Sequence, residues 1–181
     1  LPEGALEGDP LSFEPVKMDD APFAERADLL LSRGRGRGLH QEHQHLVDGF
    51  VDAATQIIAS VEGASLPLFT AMRAEPVPQD TPAAAMHQAM VLREMRGSVH
   101  LLALVAQGLD SAKAHAIKRP DDVTVFGYET APDVTDEDRA TWQRAEDLTD
   151  ELLVPAYAGL SDGQVDALVA GTAAMAAALG V

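Results

Sequence analysis

An all-α fold is what this sequence predicts, and composition and pattern carry the expectation together. Hydrophobic residues make up 46% of the 181 residues, yet aromatics are only 4%, and alanine, leucine and valine supply most of the apolar share. Alanine and leucine are strong helix formers, whereas strands favour aromatic and β-branched residues. Apolar residues recur at three-and-four spacing through several long windows, the period of an amphipathic helix. Asp121 to Tyr128 is the only β-like stretch. The length fits one domain. Residues 1–22 read as an extended acidic, proline-rich arm, and 23–181 as a single helical domain.

The elements follow in order. Pro2, Pro10, Pro15 and Pro22 interrupt the arm, which shows little periodicity. A short helix fits 23–32, with Phe23, Ala27, Leu30 and Leu31 on one side. The alternating run Arg33-Gly34-Arg35-Gly36-Arg37-Gly38 ends it, because alternating glycine makes a helix costly. A second helix fits 39–62, where Leu46, Phe50, Ala53, Ala54, Ile57 and Val61 form one stripe. Pro76, Pro78 and Pro82 stiffen the next connection, and Thr81-Pro82 reads as an N-cap followed by proline at the first helical position. The helix from there to Gly108 would run about 40 Å at 1.5 Å per residue. A short helix fits 110–118. Thr135 with Asp138 opens another that reaches about Pro155, and Ser161 with Gln164 opens the last, 162–179.

Charge and missing residue types exclude several functions. There is no cysteine, which removes disulfides, thiolate metal sites and cysteine nucleophiles. The net charge is −16. Residues 1–32 hold eight acids against Lys17 and Arg26, residues 121–166 hold thirteen against Arg139 and Arg144, and 33–119 hold nine bases and eight acids. Acidic flanks repel polyanions, so neither a nucleic-acid partner nor an anionic membrane surface is expected. No apolar run approaches the roughly 20 residues that span a bilayer. The start Leu1-Pro2-Glu3-Gly4 lacks the basic region of a signal peptide, and a cytoplasmic chain is expected.

Residues 67–100, PLFTAMRAEPVPQDTPAAAMHQAMVLREMRGSVH, carry a family resemblance together with LLALVAQGLD after them. The stretch resembles a family of actinobacterial proteins related to MarR-type winged helices, whose central helix begins with a longer signature that ends in LREHRGDGH. Leu92 to His100 stand at that place, with Met95 where the family usually has histidine and Ser98 where it has aspartate. Ala145 to Leu152 and Pro155 to Leu160 resemble its last helices, so the likeness covers about 60–181. It implies a helical, dimeric core related to a winged helix. The interval 118–134 is short for a recognition helix and a wing, so both are expected to be reduced or lost.

Two clusters could carry chemistry. Arg93, Arg96, Gly97 and His100 lie at i, i+3, i+4 and i+7, which puts two guanidiniums and an imidazole on one helix face, with His87 nearby. Arginine keeps its charge, so two beside an apolar core require anions. Either protein carboxylates pair with them, or they line a pocket for a carboxylate- or phosphate-bearing small molecule with His100 as partner. The side chains are expected to face inward. The other cluster is His40-Gln41-Glu42-His43-Gln44-His45. Glu42 with His45 is half of the ExxH arrangement of di-metal bundles, and no second ExxH exists. A single metal on His40, His43 and a distant group is the remaining metal reading; a solvated helix start is the preferred one. No serine has nucleophile-elbow context, and no glycine-rich phosphate loop follows a strand.

The function expected from sequence is therefore a helical accessory or anionic-ligand-binding protein that does not bind DNA. A small-molecule tailoring enzyme built on His100, Arg93 and Arg96 is the first alternative. An acidic subunit docking on a larger protein through residues 1–22 is the second. The Ala/Leu/Val-rich last helix and the 23–32 helix predict a homodimer. No cofactor is indicated.

Overall fold

The structure is a computed structural model that describes residues 44–179 except 124 and 126. The arm, the 23–32 helix, the Arg/Gly run and His40, Glu42 and His43 lie outside these described residues. Among the described residues six α-helices follow one another: α1 Gln44–Ser60, α2 Pro67–Arg73, α3 Thr81–Gln107, α4 Ser111–Lys118, α5 Asp136–Tyr157 and α6 Asp162–Leu179. Among the described residues there is no strand, and no helix is long and apolar enough to cross a membrane.

Each helix starts where its chemistry allows. The first peptide N–H groups of a helix have no intrahelical acceptor. At α3, Asp80 caps through a hydrogen bond from the Ala83 N–H at 3.3 Å, and Thr81, expected as the cap, is the first helical residue. Asp110 caps α4, accepting from Ala112 and Lys113 at 2.8 and 3.3 Å. Thr135 and Asp138 form the expected reciprocal capping box on α5, and the Lys113 ammonium donates to the Asp138 carboxylate at 2.9 Å. These hydrogen bonds hold the Asp138 carboxyl at about 2, the backbone bond at Thr135 being the largest cause. α2 did not stand out in the sequence, because seven residues with proline at the start make too short a window for periodicity.

The core has three connected parts. Val47, Phe50 and Ala54 of α1 meet Ala85 of α3. Ile57, Leu66, Phe69, Val91, Met95, Val99 and Leu153 join α1, α2, α3 and α5. Ala103, Leu104, Leu109, Ala114 and Ala145 join the end of α3 to α4 and α5. Burying a large apolar side chain contributes about 1.5–3 kcal/mol, so Phe69, Ile57 and Met95, all fully buried, dominate the middle cluster. α6 lies against α1. It buries only Gly171 and leaves Val165 and Val169 exposed; Leu101, Leu102 and Val105 of α3 are exposed too.

Two features of the fold shape the site. Gly108 ends α3 in the left-handed conformation at φ 72°, and only Leu109 and Asp110 separate it from α4. A three-residue connection containing glycine has the length of the turn in a helix-turn-helix unit. The stretch expected as β-like is instead a 3-10 turn, Pro120–Asp122, followed by further turns. Val125 N–H bonds to Asp122 O at 3.0 Å, and Gly127 takes φ 82°. Pro120 opens the 3-10 turn, and the positive φ of Gly127 bends the chain away from an extended strand.

Candidate functional site

A cleft of about 530 Å³ opens between α3, α4 and α5, and it collects most of the predicted site. The core-facing side of α3 is Val91, Met95 and Val99 with Gln88 and Ser98. One helical step of about 100° puts Arg93, Arg96, Gly97 and His100 on the flank of that stripe. The inward orientation expected for the arginines is therefore corrected: their side chains are 70% and 46% exposed, at the rim of the cleft. Arg93 pairs with its neighbour Glu94, and Arg96 donates across to Glu146 of α5 at 2.5 Å. Protein carboxylates and a cleft are both present, although sequence posed them as alternatives.

His100 is held more firmly. Its Nδ1 lies 3.0 Å from the Thr149 hydroxyl and its Nε2 3.7 Å from Glu146 Oε1. Burial lowers its pKa from the ordinary value, Glu146 raises it in part, and Arg96 and Lys118 lower it further. Burial, the largest of these influences, favours the neutral imidazole.

The opposite wall comes from residues that sequence did not single out. α4 contributes Ser111, Ala114, His115 and Lys118, followed by Arg119; Tyr128 and Trp142 complete the wall. Lys118 Nζ stands 5.4 Å from the centre of the Trp142 ring. Among the residues lining the cleft, Arg93, Arg96, Lys118 and Arg119 stand against Glu94 and Glu146, a surplus of two positive charges, and Arg119 also pairs with Asp122 outside the lining at 4.0 Å. Glu146 and Thr149 lie one turn apart on α5, a spacing too ordinary to mark them in the sequence.

Gly97 lines this cleft with nothing within 4 Å of where its Cβ would be. Packing therefore does not require glycine, although in a helix interior it costs about 1 kcal/mol relative to alanine. We expect Gly97→Ala to stabilise the protein by up to about 1 kcal/mol in urea denaturation. A loss of stability would mean that the backbone there is more crowded than the structure shows.

His87 is not part of this site. It lines a separate pocket of about 350 Å³ with Thr55, Ile58, Arg73, Val77 and Val91. Both its ring nitrogens are buried without a hydrogen-bond partner. Burial lowers its pKa and Glu75 partly opposes this. A histidine with a lowered folded pKa binds its proton more readily when unfolded, so stability is full above the ordinary 6.5 and falls as pH drops through the folded value. We expect the urea midpoint to fall between pH 7 and pH 5, and His87→Leu to flatten the fall. An unchanged slope in the variant would exclude His87 as a source.

His45 is exposed on the first turn of α1, and among the described residues no three histidine, aspartate or glutamate side chains are placed to hold a metal ion.

Comparison with known families matches residues 23–131, a span that includes α3, the Gly108 turn and α4, to a helix-turn-helix family. The chain belongs to that family. No curated protein and no solved structure matches it. Membership of the helix-turn-helix family overturns the expectation of no nucleic-acid partner, because a helix-turn-helix suggests nucleic-acid binding. That expectation rested on the net charge, on the acidic flanks 1–32 and 121–166, and on the short interval 118–134. The matched residues carry ten bases and thirteen acids, so most of the −16 lies outside them. Local potential, not net charge, decides what a surface attracts.

Proposed function

We propose that this helix-turn-helix protein is a nucleic-acid-linked regulator that responds to a small anion, a carboxylate- or phosphate-bearing molecule, held in the cleft between α3, α4 and α5. One observation carries the reading: the cleft gathers four cations against two carboxylates in a chain of net charge −16. Like charges converge at a cost unless something anionic offsets them. The volume, about 530 Å³, suits a small ligand. Helix α4 supplies one wall and is the second helix of the α3–turn–α4 unit, so an anion drawing Lys118 and Arg119 toward Arg96 would bias how α4 sits. A ligand shifts an equilibrium only through such differential contacts.

Trp142 is the only tryptophan and lines the cleft, so its fluorescence reports occupancy directly. Titration with inorganic phosphate at constant ionic strength is expected to give a saturable fluorescence change and a raised melting temperature. A second titration follows a labelled mixed-sequence duplex by anisotropy at low salt, with and without phosphate, and phosphate is expected to change the apparent affinity. A flat fluorescence titration together with an unmoved melting temperature would refute the anion site. Duplex binding indifferent to a bound anion would refute the link.

A further inference from the structure

The hydrogen-bond roles inside the cleft narrow the anion to a class. Thr149 is fully buried, and its single hydroxyl proton goes to the Ala145 carbonyl at 2.6 Å. Its oxygen also stands 3.0 Å from His100 Nδ1. With its proton already committed, the hydroxyl can only accept there, so Nδ1 carries the imidazole N–H. A neutral imidazole has one N–H, which leaves Nε2 as a bare acceptor. That nitrogen is 3.7 Å from Glu146 Oε1, another acceptor, while the second oxygen of Glu146 takes the Arg96 guanidinium at 2.5 Å. Two acceptors thus face each other, beside cations that suit a negative charge.

We propose that the cleft selects an anion bearing its own O–H, either a hydroxy acid or a monohydrogen phosphate group, whose proton is accepted by Nε2 of His100 or Oε1 of Glu146 while its charge meets Arg93, Arg96 and Lys118. This rests on the anion-binding reading above. The charged groups around the imidazole are Arg96 on its own helix, Glu146 on α5 and Lys118 on α4, and desolvation is the largest influence keeping it neutral. An anion with no proton to give would set its oxygens against the two acceptors and lose the hydrogen bond.

Two matched pairs of dianions test this at pH 8, where the imidazole is neutral. Monohydrogen phosphate and sulfate differ in one proton, and malate and succinate differ in one hydroxyl. Each is titrated into the full chain and followed by Trp142 fluorescence. In at least one pair the O–H-bearing member is expected to bind about tenfold tighter or more. A gap in the first pair alone assigns a phosphate group, and in the second alone a hydroxy acid. His100→Phe should close the gap. Glu146→Gln, which exchanges an acceptor for an amide able to donate, should narrow it and serves if His100→Phe does not fold. Equal affinities within both pairs, with saturable binding, would overturn the selectivity and leave the anion site standing. No saturable binding of any of the four would overturn both.

Discussion

Gly171→Val is expected to loosen α6 from α1 and lower the unfolding free energy by about 3 kcal/mol. Even a Cβ at this position would stand 2.4 Å from Phe50 Cβ and 2.6 Å from the Leu46 carbonyl oxygen. The second of these is backbone of α1 and cannot turn aside as a side-chain end can. Gly49 reinforces the point one turn away, since its Cβ would come 3.0 Å from Ala167 Cβ. Small residues let the two helices approach closely, and valine would force them apart, opening Val47, Phe50 and Ala54 to water. Gly163→Ala is the control on the same helix, with no neighbour within 4 Å of the added atom. Urea denaturation should place Gly171→Val far below wild type and Gly163→Ala at or slightly above it. Equal midpoints for the two variants would contradict the α1–α6 packing.

The second large effect concerns binding. The double variant Arg93→Glu with Lys118→Glu reverses two of the four cations in the cleft, turning its surplus of two positive charges into a deficit. Phosphate binding, read by Trp142 fluorescence, is expected to disappear. The fold should persist, because both side chains are at the surface: among the described residues Arg93 pairs with its neighbour Glu94, and Lys118 lies over the Trp142 ring. Exposed pairs of this kind contribute little to stability. An unchanged circular dichroism spectrum with lost binding is the expected combination. Retained phosphate affinity would show that the positive surplus does not govern the cleft, and the anion reading would fall.

Arg96 behaves differently because it ties α3 to α5. Removing it leaves Glu146 without its cation and takes away one of the influences that lower the His100 pKa. The same side chain therefore serves helix packing and the state of the imidazole, which is why pairing and ligand binding were not true alternatives.

Local chemistry was legible in the sequence wherever it acts within one helix. The Thr135–Asp138 capping box, the glycine end of α3, the α4 span and the start of α6 depend on neighbours four residues away or fewer, and each was found. The all-α class followed from side-chain preferences that act residue by residue. Where β-branched residues suggested a strand, at 121–128, no partner strand lies among the described residues, and turn geometry prevailed.

By itself, the sequence determined the helical class, most helix boundaries and the grouping of Arg93, Arg96, Gly97 and His100 on one flank of α3, because helical periodicity fixes which residues share a face. It could not determine what that flank meets. Glu146 and Thr149, about fifty positions along the chain, set the imidazole's tautomer and hold the arginine, while α4 folds back to add Lys118 and Arg119. The tertiary structure also separated His87 from the cluster it seemed to join. The physical reason is range: caps and periodicity are written in consecutive residues, whereas a cleft's charge and hydrogen-bond roles arise only when helices distant in sequence pack together.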